Sequence, residues 1–280
     1  MVNAPLVTLP SGDEMPVVGM GTWDVTGGAV KDSVRTALKA GYTHIDTAEG
    51  YMNESEIGNA IADYDREELF LTSKVLPKNL DYESVLRACD RSLERLGTDY
   101  LDLYLIHWPN PAISLRETLD AMETLHHDGK VRNIGVSNFS PYQLSIAHHV
   151  SETPIAVNQI EYHPWFQRPD WIEYCRESET VIEAAAPLAR TEILDDEVIR
   201  EIAEKHGKNP AQVVLKWAVE NDVVVIPKST SPEHIRENRE LFSWELNAAA
   251  HKRIDQLDQN HPVYDDRTRE WGDEVYGISK

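Results

Sequence analysis

Residues 69–107, LFLTSKVLPKNLDYESVLRACDRSLERLGTDYLDLYLIH, decide the fold. Two short apolar runs, LFLTSK and YLDLYLIH, enclose DYESVLRACDRSLERLG, whose apolar residues recur every three or four positions as in an amphipathic helix. A strand, a helix and a second strand in that order place the two strands parallel, because the helix carries the chain back to the starting edge.

The same rhythm runs outward in both directions. Strand-like pieces end near Trp23, Asp46, Lys74, His107, Ser137, Gln159, Pro187 and Lys228. Helical stretches such as VKDSVRTALKA, LRETLDAMETLHHDG and NPAQVVLKWAVEN lie between them. Eight such units in 280 residues predict an α/β chain folded as one TIM-type (β/α)8 barrel domain over residues 1–280. An open doubly wound sheet is disfavoured, since no G-x-G-x-x-G follows a strand. LVTLPSGDEMPVVGMG predicts an N-terminal β-hairpin turning at Ser11-Gly12, and NAAAHKRIDQLDQ an extra C-terminal helix before a polar tail holding Trp271.

Composition limits the function classes. The chain carries 48 Asp plus Glu against 27 Lys plus Arg, a net charge of −21 spread along the sequence rather than gathered in a tail. Such a surface repels nucleic acid and anionic membrane; its self-repulsion would reinforce a monomeric state, and its charge predicts adaptation to high salt, where screening makes dense negative charge tolerable. No apolar run approaches the ~20 residues that span a bilayer, and the N-terminus has no signal-peptide pattern, so a cytoplasmic location is expected. Cys89 and Cys175 have no CxxC spacing, and the histidines no metal-ligand spacing; reduced buried thiols and no metal site are expected.

In a barrel of this kind the C-terminal strand ends face one pocket. Asp46, Lys74 and His107 end strands two, three and four, and Tyr51 lies five residues beyond Asp46 in HIDTAEGYMNE. A phenol is a weak acid at neutral pH; a neighbouring ammonium stabilises its phenolate. Lys74 would supply that charge, Asp46 would hold Lys74 protonated, and His107 would hydrogen-bond the oxygen that receives the proton. Taken singly, each has a plainer role as an ion pair, a core phenol or a capping histidine. Four together at consecutive strand ends point to an electrophilic site that protonates a developing alkoxide.

GMGTW, GYTHIDTAEGYMNESEIG, LTSKV, LIHWP, GVSNF, NQIEYHP and IPKSTSPEHIREN stand in the order and at the spacing of the aldo-keto reductases, which the chain resembles along nearly its whole length, the prokaryotic 2,5-diketo-D-gluconate reductase-like members in particular. The resemblance implies reversible NAD(P)H-dependent reduction of small aldehydes or ketones, with Asp46, Tyr51, Lys74 and His107 as the catalytic tetrad and Tyr51 as the acid. It places Ser137, Asn138 and Gln159 at the nicotinamide carboxamide, Lys228, Ser229 and Thr230 at the adenosine 2′-phosphate, and Glu237 and Asn238 near adenine. Thr22, Trp23, Asp46, Ala185, Leu188 and His234 complete the cofactor cleft. Trp23, Tyr51, His107 and Trp108 line the substrate side, while Trp165 and Phe139 suit packing at the rim.

Two positions depart from the family pattern. His234 stands where an arginine is usual; an imidazole, largely neutral at pH 7, offers a phosphate less than a guanidinium fork does. NADPH is therefore expected through Lys228, with NADH also accepted. Ala185 stands where an aromatic ring usually stacks on the nicotinamide, a loss of about 1 kcal/mol in holding the ring. The alternative to an enzyme is a cofactor-binding regulatory or structural barrel without useful turnover, which some relatives of this fold have become.

Overall fold

A computed structural model describes residues 4–264. Residues 1–3, and the tail with Trp271, lie outside the described residues.

The predicted hairpin forms from β1 (Leu6–Thr8) and β2 (Glu14–Pro16), antiparallel with Leu6 opposite Pro16. Gly12 takes φ +92° in the turn, a conformation that costs glycine nothing. Eight parallel strands follow: β3 (Gly19–Gly21), β4 (His44–Asp46), β5 (Phe70–Val75), β6 (Leu101–Ile106), β7 (Val131–Ser137), β8 (Ile155–Glu161), β9 (Val181–Ala185) and β10 (Val224–Val225). Each pairs with the next, and a parallel bridge from Val18 to Val225 links the last strand to the first.

Helices cover the outside: α1 (Gly27–Lys39), α2 (Glu54–Ile61), α3 (Tyr82–Leu96), α4 (Leu115–His127), α5 (Pro141–Val150), α6 (Pro169–Glu177), α7 (Glu197–His206), α8 (Pro210–Glu220), α9 (Pro232–Glu237) and α10 (Ala248–Asp255). In α3, Val85, Ala88, Cys89, Ser92, Leu93 and Leu96 form the buried stripe; the Asp81 side chain caps its start and Gly97, in the left-handed region, ends it. Both cysteines are free and buried, and burial pushes the Cys89 thiol up to about 12 and the Cys175 thiol up to about 11.

The extra C-terminal helix is α10. The seventh crossover is longer than the simple rhythm implies: α7 precedes α8, started by Asp196, whose carboxylate accepts from the Val198 and Ile199 N–H, and ended by Gly207. Its signals were local caps, overshadowed in the sequence by the stronger apolar pattern of NPAQVVLKWAVEN.

Strand residues alternate between two cores. Ile45, Leu71, Tyr104, Ile106, Ile134, Val136, Ile160 and Ala184 face the helices. Phe70, Leu103, Leu105, Val157 and Val224 fill the lower interior with Leu9 and Met15, so the hairpin plugs the N-terminal end. Register then fixes what lies above the plug: Asp46 is level with Thr72, Lys74 with Leu105, and Ser137 with Gln159 and Glu183. A Cβ at Gly19 would stand 2.5 Å from His44 Nδ1, so glycine there makes room for an inward imidazole.

Candidate active site

Asp46 is the last residue of β4, and the chain leaves it through a short 3-10 turn, Glu49–Tyr51, that swings Tyr51 back over the barrel. Two buried anchors hold that loop. Asn53 donates to the Thr22 and Val25 carbonyls, both at 2.9 Å, and accepts from Thr47 Oγ1 at 2.7 Å. The Glu49 carboxylate accepts from the Leu76 N–H and from Asn79, tying the turn to the end of β5. Met52, exposed and at φ 52°, closes the turn.

Lys74 is wholly buried, and its Nζ donates to Asp46 Oδ1 at 2.7 Å, to the Thr47 carbonyl at 2.9 Å and to Tyr51 Oη at 3.3 Å. Three acceptors match the three hydrogens of an ammonium. The His107 ring meets the Tyr51 ring edge-on, with centroids 5.5 Å apart. The four side chains named from sequence therefore converge on one point at the barrel mouth.

The electrostatics differ from expectation at Tyr51. Burial, with Asp46 and Glu183 close by, holds the phenol well above its ordinary value although Lys74 lies beside it. The site thus holds a protonated phenol next to an ammonium, an arrangement for an acid. Burial, then Lys74, keeps His107 well below the usual range, so its imidazole is neutral and serves as a hydrogen-bonding group. Burial raises Asp46, opposed by Lys74 and Gln159.

Ser137, Asn138 and Gln159 interlock beside this point. Ser137 Oγ and the Asn138 N–H both donate to the Gln159 carbonyl at 2.9 Å, and Asn138 Nδ2 donates to the His107 carbonyl at 3.1 Å. Asn138 sits at φ 62°, a left-handed conformation that asparagine tolerates better than most residues. Thr22 is buried, its hydroxyl donating to the Asp46 carbonyl at 2.8 Å. Ala185 closes β9 with 8% of its surface exposed and offers only a methyl group. Leu188, half-buried, begins the loop beyond it.

At the end of β10, Lys228 and Thr230 are exposed, and the Ser229 hydroxyl accepts from the Ser231 N–H. Ser231 caps α9, which carries the exposed His234 on its first turn. Glu237 is committed to the adjacent helix, accepting from Asn209 Nδ2 at 3.0 Å, and Asn238 is buried. Trp23 and Trp108 are half-buried at the mouth. Phe139 is in the core, and the Trp165 indole donates to Asp196, so both pack rather than line the pocket.

Several residues join the site that sequence reasoning passed over. The Arg190 guanidinium lies 5.1 Å from the Trp23 ring centroid and 5.9 Å from that of Tyr264, and Lys228 Nζ lies 5.5 Å from Trp23 on the same mouth. The loop of Arg190 carries left-handed φ at Ala186, Ala189, Arg190 and Thr191, which no glycine announces. Tyr264, beyond α10, faces Trp108 at 6.0 Å. Its position is fixed by the buried Glu161, which accepts from the Val263 and Tyr264 N–H groups at 2.5 and 3.2 Å. Glu183, below Asp46, is the other residue; a carboxylate inside VIEAAAP was the available signal of a buried acid.

The residues fit a nicotinamide dinucleotide: hydrogen-bonding amides beside a proton donor, then a cationic rim at Arg190 and Lys228 reaching the start of a helix. Residues 17–259 match the aldo/keto reductase family. The chain is 44% identical over 260 residues to a glyoxal reductase of Bacillus subtilis, covering 92% of this chain and 94% of that one. It is 41% identical over 267 residues to a 9,11-endoperoxide prostaglandin H2 reductase of Trypanosoma cruzi, covering 93% and 94%. A crystal structure of an aldo/keto reductase from Brucella melitensis superposes with TM-score 0.87 at 41% identity, covering 91% of this chain and all of that one. A Bombyx mori aldo-keto reductase in complex with NADP superposes with TM-score 0.90 at 31% identity, covering 99% and 100%. The chain belongs to the aldo/keto reductase family.

Proposed function

We propose that this chain reduces small aldehydes and ketones to alcohols, with hydride from NADPH and a proton from Tyr51. The observation that carries the assignment is the Lys74 ammonium, buried and shared between Asp46 at 2.7 Å and Tyr51 at 3.3 Å. When bound, the dinucleotide supplies the hydride, which no side chain can.

The protein's own part is acid catalysis and orientation. A carbonyl oxygen within reach of Tyr51 and His107 gains negative charge as hydride arrives at its carbon. A developing alkoxide is far more basic than a phenolate, so the Tyr51 proton moves to it even though burial makes the phenol a weaker acid than in water. The phenolate left behind is stabilised by Lys74, whose counter-ion Asp46 is already in place, so little reorganisation accompanies the transfer. Gln159, Asn138 and Ser137 orient the nicotinamide through its carboxamide. Trp23 and Trp108, with Tyr264, give the carbonyl compound an aromatic wall.

Lys228, Ser229 and Thr230 hold the 2′-phosphate, which favours NADPH. His234 in place of a guanidinium narrows that preference, so NADH is also used. The negative surface suits a monomer working in a salt-rich cytoplasm, with no nucleic acid or membrane partner. Among the described residues, no helix is long and apolar enough to cross a membrane.

The test is turnover. NADPH and NADH oxidation followed by absorbance, across a panel of aldehydes, ketones and dicarbonyls, is expected to show catalysis with both cofactors and faster catalysis with NADPH. Tight cofactor binding with no turnover on any carbonyl would replace this assignment with a regulatory one.

A further inference from the structure

Gln159 grips two buried carboxyl groups at once. Its Nε2 lies 3.0 Å from Asp46 Oδ2 and 2.5 Å from Glu183 Oε2. An amide nitrogen carries two hydrogens and an amide oxygen none, so two acceptors at one end settle which end faces them. Gln159 Oε1 is left pointing away from the pair, and no group among the described residues donates to it.

Asp46 alone would fix the end but not the plane. The terminal torsion of a glutamine is broad, and one hydrogen bond leaves the amide free to swing about it. Asp46 on β4 and Glu183 on β9 approach from different strands, and a second anchor removes that freedom.

Glu183 has no other evident task. It is fully buried, and Lys74, the nearby cation, already spends its hydrogens on Asp46, Thr47 and Tyr51. A carboxyl in such a place costs stability unless its bonding is satisfied. Burial and Asp46 push it up to about 8, so it holds a proton at neutral pH. Oε2 accepts from Gln159, which leaves the proton on Oε1, facing Nε2 of His44 at 3.5 Å. Burial lowers His44 to about 3, so that imidazole is neutral. The neutral acid keeps the acceptor Gln159 needs without adding a second negative charge beside Asp46.

We propose that Glu183 is a positioning residue that locks the Gln159 amide with Oε1 directed to accept from the N–H of the nicotinamide carboxamide. The inference rests on the assignment of Gln159 to that carboxamide.

Dissociation constants are measured by tryptophan fluorescence for three ligands. They are NADP+, its 3-acetylpyridine analogue, which has a methyl ketone and no N–H donor, and 2′-phospho-ADP-ribose, which lacks the ring. Wild type is expected to favour NADP+ over the analogue by about tenfold, the worth of one good hydrogen bond. In Glu183→Met the ratio is expected to fall below about threefold while affinity for 2′-phospho-ADP-ribose stays unchanged. Glu183→Gln, neutral like the protonated acid, keeps a carbonyl acceptor for Gln159 and is expected to hold the wild-type ratio, while Glu183→Leu, which also removes the acceptor, keeps the test open if the methionine variant does not fold. A full wild-type ratio in a folded methionine or leucine variant overturns the inference, as does an equal weakening of 2′-phospho-ADP-ribose, which would mark a general structural role. If wild type itself does not discriminate, the assignment of Gln159 to the carboxamide fails first, and the Glu183 inference with it.

Discussion

Lys74 places its ammonium 2.7 Å from the carboxylate of Asp46 with no surface of its own exposed to solvent. The pair joins the ends of β4 and β5, so the contact ties two barrel strands together and, in the proposed mechanism, also holds the cation beside Tyr51.

Removing the cation tests both uses. Lys74→Met strands the Asp46 charge in the interior, and breaking a buried pair this way costs about 3–5 kcal/mol. Urea denaturation is expected to show that loss, and carbonyl turnover to fall at least about a hundredfold, the lower range for lost proton-transfer catalysis. The double variant Lys74→Met with Asp46→Asn is expected to regain much of the stability and none of the turnover. A single variant as stable as wild type would contradict a charged buried pair.

Glu183 imprints a pH dependence on stability. Its folded value, about 8, is raised above the 4.5 of a free glutamate, so between those limits the native state holds a proton that the unfolded state has released. Its contribution is complete below about pH 4.5 and is lost as pH rises through 8. His44, lowered from 6.5 to about 3, works the other way, gaining stability as pH rises through that range. Between pH 6.5 and 8 the Glu183 effect stands clear of His44. There, unfolding free energy of wild type is expected to fall relative to Glu183→Gln with a slope approaching one proton, about 1.4 kcal/mol per pH unit. Parallel curves for the two proteins would refute a protonated Glu183.

The strand-end residues were legible because alternation of short apolar runs with amphipathic helices fixes a parallel barrel, and a parallel barrel gathers strand ends. Asp46, Lys74, His107, Ser137 and Gln159 could be placed from that alone, with Tyr51 one turn beyond. Tyr264 could not, since its place depends on a long-range clamp by Glu161 on the backbone of Val263 and Tyr264, and no local pattern encodes it. Arg190 was hidden for a different reason: its loop uses left-handed backbone at alanine, arginine and threonine rather than at glycine. The sign of the Tyr51 shift was misjudged because the sequence shows the lysine beside it but not the burial, nor Glu183 beneath.

The proposed preference for NADPH rests on Lys228 and on the start of α9. Lys228→Ala is expected to weaken NADPH on the order of tenfold while leaving NADH nearly unchanged, as loss of one charge-assisted contact implies. His234→Arg is expected to shift the kcat/KM ratio toward NADPH by a similar factor. Equal weakening of both cofactors by Lys228→Ala would show that the lysine does not meet the 2′-phosphate.

A net charge of −21 predicts self-repulsion that salt relieves. Thermal unfolding followed by circular dichroism is expected to show a lower midpoint at low ionic strength and recovery in molar KCl. A midpoint indifferent to salt would remove the case for a salt-adapted surface.

The central claim is that Tyr51 delivers the proton, and Tyr51→Phe measures it most directly. Steady-state NADPH oxidation with a reactive aldehyde and cofactor titration by fluorescence are run on the same variant. The predicted result is turnover reduced by about 10²–10⁴-fold, the range for a lost general acid, with cofactor affinity within twofold of wild type. Turnover retained in the folded, cofactor-binding variant would contradict the account and assign the proton to another group.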